Sequence, residues 1–179
     1  MREIEIKARV HDIPKLVNRL KRQGIVFDAS VHQKDHVFAP GQIDSDNTKN
    51  CWLRLRNQDG KYTFTMKKSI KNELDSIEHE IQIDDMDEAR GIISELGYKT
   101  NSYVEKTRRI AETTDGIVIR LDSVVSLGDF IELEIMSGDD VVGYDEIAEK
   151  LWRFAESIGV DRSDEVQVGY DVLMIESQK

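Results

Sequence analysis

Three short segments of this chain repeat one device, a pair of glutamates two residues apart: Glu3-Ile4-Glu5-Ile6, Glu78-His79-Glu80-Ile81 and Glu132-Leu133-Glu134-Ile135. In a β-strand successive side chains point to opposite faces, so Glu3, Glu5 and Lys7 form one row with neighbours roughly 6.5 Å apart, while Ile4 and Ile6 face away. The same alternation in other strand-like runs puts Arg54 with Arg56, Thr63 and Thr65 with Lys67, Lys106 with Arg108, and Arg120 with Asp122 on the charged side. Carboxylates in this arrangement suit a hard divalent cation such as Mg²⁺ or Mn²⁺, which takes oxygen ligands and bridges carboxylates to phosphates. The Lys and Arg side chains suit the phosphates themselves, Arg as a two-pronged fork and Lys as a point charge. A triphosphate with its metal is the guest that needs both signs of charge at once.

The elements that must position these groups follow from periodicity and caps. Asp12 and Pro14 start a helix whose stripe is Leu16, Val17 and Leu20, ended by Gly24. Asp85 to Leu96 repeats the arrangement before Gly97, and Tyr144 to Ile158 gives the longest helix, before Gly159. A last helix is expected from about Ser163 through Val166, Tyr170 and Leu173. Trp52 to Asn57 and Lys61 to Lys67 flank the turn Gln58-Asp59-Gly60, and Arg108 to Thr113 and Ile117 to Val124 flank Thr114-Asp115-Gly116. Leu127-Gly128-Asp129 leads into Phe130 to Ile135, and Ser76 to Ile83 alternates as well. The pairing is antiparallel, with seven or eight strands, and each Glu-x-Glu strand is followed by an Asp-bearing turn, a helix and a glycine.

An antiparallel sheet with a wet charged face would account for the alternation alone. The helices weigh against it, because each has an apolar stripe that must be buried and the uncharged strand face is the only apolar surface large enough. About eight strands can close on themselves, which also removes exposed edges. The expected fold is therefore α+β: an eight-stranded antiparallel closed barrel, helices packed outside, and charges lining a tunnel.

Composition narrows the function classes. Over 179 residues, 35 Asp and Glu face 25 Lys and Arg, a net charge of −10, which argues against a nucleic-acid partner. With 39% apolar residues and no linker-like stretch, residues 1–179 read as one domain. No apolar run is long enough for a signal peptide or membrane span, so no membrane association and a cytoplasmic location are expected. Cys51 has no partner cysteine and no nucleophile-and-base pattern around it. His32 and His36 lack companion ligands for zinc, and Asp44 and Asp46 open a segment without the glycine and glutamate of a calcium loop.

Glu3-Ile-Glu5-Ile-Lys7 resembles the N-terminal signature of the CYTH superfamily, the triphosphate tunnel metalloenzymes. Gln33-Lys-Asp35-His-Val-Phe38, Leu53-Arg-Leu-Arg56, Thr65-Met-Lys67, Glu78-His-Glu80, Glu105-Lys-Thr-Arg108, Ile119-Arg-Leu-Asp122 and Glu132-Leu-Glu134 follow in the order that family shows. The resemblance implies Glu3, Glu5, Glu132 and Glu134 as metal ligands. It implies Lys7, Arg54, Arg56, Lys67, Lys106, Arg108 and Arg120 as phosphate-binding residues, with Lys7, Arg56, Lys67 and Arg120 closest to the chemistry. Glu78, Glu80 and Asp122 would orient those cations or hold a second metal.

Two reactions divide the family: class IV adenylate cyclases make 3′,5′-cyclic AMP and pyrophosphate from ATP, and triphosphatases hydrolyse inorganic tripolyphosphate, thiamine triphosphate or nucleoside triphosphates. The run Leu127 to Met136 with its following helix looks like the cyclase branch, whereas Arg120 and the complete Glu132/Glu134 pair look like triphosphatases. Cyclase is the favoured expectation, a triphosphatase the alternative, and a non-catalytic nucleotide or polyphosphate binder the third. The resemblance also implies a homodimer, the common assembly among cyclase-like relatives.

Overall fold

The fold is given by a computed structural model in which residues 2–40, 51–70, 74–137 and 143–177 are described. The segment containing Asp44 and Asp46 lies outside them. Eight strands, β1 (Arg2–Arg9), β2 (Val31–Pro40), β3 (Cys51–Gln58), β4 (Lys61–Ser69), β5 (Asp75–Ile83), β6 (Tyr98–Glu112), β7 (Val118–Val124) and β8 (Gly128–Ser137), close into an antiparallel barrel in the order β1-β5-β4-β3-β2-β6-β7-β8. β6 is longer than the expected run from Arg108, because its first half is polar on both faces and shows no alternation.

Burial explains why the strands sit this way round. Ile4, Ile6 and Ala8 of β1, Ile119 and Leu121 of β7, and Ile131 and Leu133 of β8 pack outward against Leu16 and Leu20 of α1 (Ile13–Arg22) and Ile147, Leu151, Trp152 and Ala155 of α3 (Tyr144–Ser157). On the other side Leu53, Leu55 and Phe38 pack against Ile93 of α2 (Met86–Glu95). α1 and α2 begin at side-chain caps, Asp12 accepting from the Lys15 amide at 2.9 Å and Asp85 from the Asp87 and Glu88 amides at 2.9 Å. The strand–helix–glycine unit recurs as β1–α1, β5–α2 and β8–α3, with Gly24, Gly97 and Gly159 all at positive φ. No helix among the described residues is long and apolar enough to cross a membrane.

The C-terminal segment departs from the single helix expected from Ser163. A 3-10 turn at Arg162–Asp164 is followed by extended chain, and α4 starts only at Tyr170 (Tyr170–Glu176). The reason lies in β1. It pairs with β5 only around Glu3 and Ile4, and beyond that its edge is completed by the Glu5 amide donating to the Leu74 carbonyl and the Val166 amide donating to the Lys7 carbonyl at 2.8 Å. Ala8 bridges Glu165 in the same way. A helix through Val166 would leave that edge open. From there α4 meets Val104, Val124 and Phe130, which occupy the inward parity of β6, β7 and β8, and with Val166 and Tyr170 they form an apolar plug at one end of the tunnel.

Phe130, fully buried in this plug, is a direct test of it. Phe130→Ala should lower unfolding free energy by about 3–5 kcal/mol, read as a lower urea midpoint at unchanged slope.

Candidate active site in the tunnel

Inside the barrel is a cavity of about 360 Å³ lined by inward side chains of all the strands except β7's lower half and by the start of α4. Seven cations, Lys7, Arg54, Arg56, Lys67, Lys106, Arg108 and Arg120, face eight carboxylates, Glu3, Glu5, Asp35, Glu78, Glu80, Glu132, Glu134 and Asp171, a formal balance of −1. Exposure rises away from α4: the Lys7 and Lys106 side chains are 3% exposed, Arg120 19% and Glu80 43%. The plugged end is thus the driest part of the site.

Register decides who pairs with whom. Asp35 lies opposite Arg56 on β2 and β3 and accepts a two-pronged contact from Nε and Nη2, both 2.7 Å. Lys67 lies opposite Glu78 and contacts it at 2.8 Å, and it reaches Glu3 across the β1–β5 seam at 2.6 Å. Arg108 lies opposite Asp122, donates from Nε at 2.6 Å, and extends Nη2 to Glu132 at 2.5 Å; Lys106 donates to the same Asp122 at 3.0 Å. Arg54 meets Glu78 and Glu80 at 3.3 Å, and Thr65 donates to Glu80 at 2.8 Å. Opposite charges placed directly across a ladder stabilise it, and in a dry lumen such pairs are what make the charges tolerable.

One place breaks this pattern. Glu5 of β1 lies directly opposite Glu134 of β8, a like-charge pair, and one oxygen each of Glu3, Glu5 and Glu134 lie within 4.8 Å of one another. Burial and the neighbouring Glu132 charge push the Glu5 carboxyl above its ordinary range, with Lys7 at 3.3 Å opposing them. Glu3 is also pulled upward by burial, but Lys67 beside it, a hydrogen bond with Glu78 and the Arg120 charge outweigh that and hold it at about 2. Arg120 contacts both Glu3 and Glu134. Three hard oxygen donors this close and buried, with Lys7, Lys67 and Arg120 at their edges, fit a divalent cation such as Mg²⁺ or Mn²⁺.

The cations at the plugged end are tuned in opposite senses. Lys7 is held above its ordinary value because Glu5 and Glu132, at 3.3 and 3.4 Å, outweigh the effect of burial. Lys106 is brought down to about 8 by burial and by the adjacent Arg108, with Asp122 and Glu132 opposing.

All the cations named from the sequence line the cavity, and so do Glu3, Glu5, Glu78, Glu80, Glu132 and Glu134; Asp122 sits fully buried behind Arg108 and Lys106. Glu132, expected with the metal carboxylates, contacts Arg108 and Lys7 and is not among the three clustered glutamates. Asp35, Tyr170 and Asp171 had no assigned role. β2 carries His32, Lys34 and His36 on one face and Gln33 and Asp35 on the other, so parity alone could not choose its inward side, although pairing with Arg56 would have. Tyr170 and Asp171 enter from α4, which strand alternation does not reach.

Comparison with known proteins agrees with this geometry. A protein of Methanocaldococcus jannaschii provisionally named an adenylate cyclase is 31% identical over 172 residues, covering 95% of this chain and 97% of that one. A solved structure from Pyrococcus horikoshii superposes with a TM-score of 0.82 at 26% identity, over 98% of this chain and 99% of that one. A Hippeastrum protein provisionally named an adenylyl cyclase, and described as having a dominant triphosphatase activity, shares the fold alone, at a TM-score of 0.64 and 17% identity over 100% and 97% of the two chains. The CYTH domain profile matches residues 1–170. The chain belongs to the CYTH domain family.

Proposed function

We propose that the tunnel binds a linear triphosphate with a divalent cation and performs phosphoryl transfer on it, with ATP as substrate and 3′,5′-cyclic AMP and pyrophosphate as products. The Glu5–Glu134 like-charge pair across the β1–β8 ladder, joined by Glu3, carries the metal-dependent part of this reading. A lining with a formal balance of −1 repels a bare polyanion, so the cation and the triphosphate enter as a unit. The name carried by the relative from M. jannaschii supports the cyclase assignment.

Glu3, Glu5 and Glu134 would hold the metal, which when bound neutralises phosphate charge and polarises the phosphorus under attack. Lys7, Lys106 and Arg108 receive phosphate oxygens at the plugged end, and Arg54, Arg56, Lys67 and Arg120 line the path toward the exposed end. Each cation is held in place by a carboxylate until phosphate oxygens replace that partner on binding, so the cations are positioned before the chemical step. In the cyclase the ribose 3′ oxygen attacks the α-phosphorus and loses its proton to water, the bond from the α-phosphorus to the α–β bridging oxygen breaks, and that oxygen departs with pyrophosphate. In-line placement and charge stabilisation suffice for this, without a covalent intermediate. A second reading, water attacking the terminal phosphorus of tripolyphosphate or a nucleoside triphosphate, is supported by the plug, beside which the most buried cations would receive the end of a phosphate chain.

Incubation with ATP or tripolyphosphate in Mg²⁺ or Mn²⁺, with products resolved by ion exchange and mass spectrometry, should give cyclic AMP and pyrophosphate from ATP. Orthophosphate would establish the second reading, and no product from either substrate would leave a binding module. Glu5→Ala should lower kcat by about 100-fold or more. In metal-free buffer at pH 7, Glu5→Gln should raise the unfolding temperature: folding raises the Glu5 pKa, so the ionised carboxylate opposes the fold above its ordinary range, and the neutral amide removes that cost.

Lys106 supplies the pH dependence. Its ammonium is charged below about 8 and lost above it, so kcat/KM should fall as pH rises through that value. Lys106→Met should show a low kcat/KM without that descending limb.

A further inference from the structure

Tyr170 lies at the closed end of the tunnel and has no part in the chemistry described above. It is the first residue of α4, lines the cavity, and is 7% exposed. Its ring sits under two ammonium groups, Lys7 Nζ at 4.4 Å and Lys106 Nζ at 4.7 Å from the centroid, and meets Phe130 edge-on at 5.0 Å. That arrangement fixes the ring and brings it against two cations assigned to the phosphates. The hydroxyl is different. It is buried and has no hydrogen-bond partner among the described residues. A buried phenol without a partner costs stability, and a phenylalanine would fill the same plug without that cost. Burial and the Asp122 and Glu132 charges hold the phenol well above its ordinary range, so it keeps its proton and is a donor. The nearby carboxylates are engaged by Lys7, Lys106 and Arg108 and none is within hydrogen-bonding reach of the hydroxyl, whereas a phosphate oxygen seated between Lys7 and Lys106 would be.

We propose that Tyr170 is a substrate-positioning residue whose hydroxyl donates a hydrogen bond to the phosphate at the plugged end of the tunnel. This rests on the triphosphate reading above. The hydroxyl seats the innermost phosphate while the ring holds the two ammonium groups that neutralise it, so α4 is part of the binding site as well as its plug.

The test is isothermal titration of the full chain with tripolyphosphate and Mg²⁺, beside thermal unfolding without ligand, for wild type and Tyr170→Phe. Tyr170→Phe keeps the ring and removes only the unpaired oxygen. Its ligand-free unfolding temperature should equal or exceed that of wild type, while tripolyphosphate binding weakens roughly ten- to a hundredfold, the effect of losing one hydrogen bond to a charged group. Unchanged affinity would overturn the proposal. So would a loss of affinity accompanied by a lower ligand-free unfolding temperature, which marks a structural hydroxyl satisfied by the fold. Failure of wild type itself to bind tripolyphosphate with Mg²⁺ would overturn the triphosphate reading and this inference together, whereas binding by wild type with no effect of Tyr170→Phe removes the inference alone.

Discussion

The gathering of fifteen charged side chains inside one closed barrel, nine of them buried, is the constraint on which the rest of the structure depends. Each such charge is costly to remove from water, and attraction offsets that cost only when partners meet in good geometry with their remaining hydrogen-bonding capacity used. Strand register provides the geometry. Asp35 opposite Arg56, Glu78 opposite Lys67, Asp122 opposite Arg108 and Glu132 opposite Lys7 are all direct cross-strand neighbours. A one-residue slip in any strand would turn its charges into the helix layer and its isoleucines into the lumen. The outer helices therefore do more than cover the barrel: by burying Ile4, Ile6, Ile119, Ile131 and Leu133 they fix the register that pairs the charges within.

The seam between β1 and β5 is the weakest part of that closure, and the chain returns to it at the end. Residues 165–166 complete the β1 edge, and α4 then turns inward against Val104, Val124 and Phe130. Closing the barrel and plugging the tunnel are thus two consequences of one segment. The plug leaves the most buried cations at one end and the partly exposed Arg54, Glu80 and Arg120 toward the other. On the proposed reading a linear polyanion would enter from that more exposed end.

Much of this was legible in the sequence because two periodicities coincide. Period-two alternation marks the charged face of β1, β3, β4, β7 and β8, and the helical stripes of Leu16/Leu20 and Ile147/Leu151 require a large apolar face to cover. Together they imply a closed barrel with its charges inside. Legibility ended where alternation ended. β2 is polar on both faces, which hid Asp35, and the first half of β6 shows no contrast, which hid its length. The Val166, Tyr170 and Leu173 spacing suits a helix from Ser163, while the competing demand, a β1 carbonyl that needs the Val166 amide, comes from a strand more than 150 residues away. Glu132 lies beside Glu134 by spacing, and its contacts with Lys7 and Arg108 follow from register.

The excess of carboxylate over cation in the lining gives the proposed reaction its selectivity. A lumen with more Lys and Arg than acid would take up any polyanion, and inhibitory phosphates with it. Here every cation is already held by a carboxylate, so a phosphate must compete for it, and a lone orthophosphate offers too few oxygens to displace several partners. A triphosphate can displace several at once, and the carboxylates it frees at Glu3, Glu5 and Glu134 are the ones a divalent cation can satisfy. Metal and polyphosphate then each relieve the charge imbalance that the other would create. On the proposed reading, the acidic surplus that seems to count against anion binding makes the site respond to the metal–triphosphate complex rather than to either component.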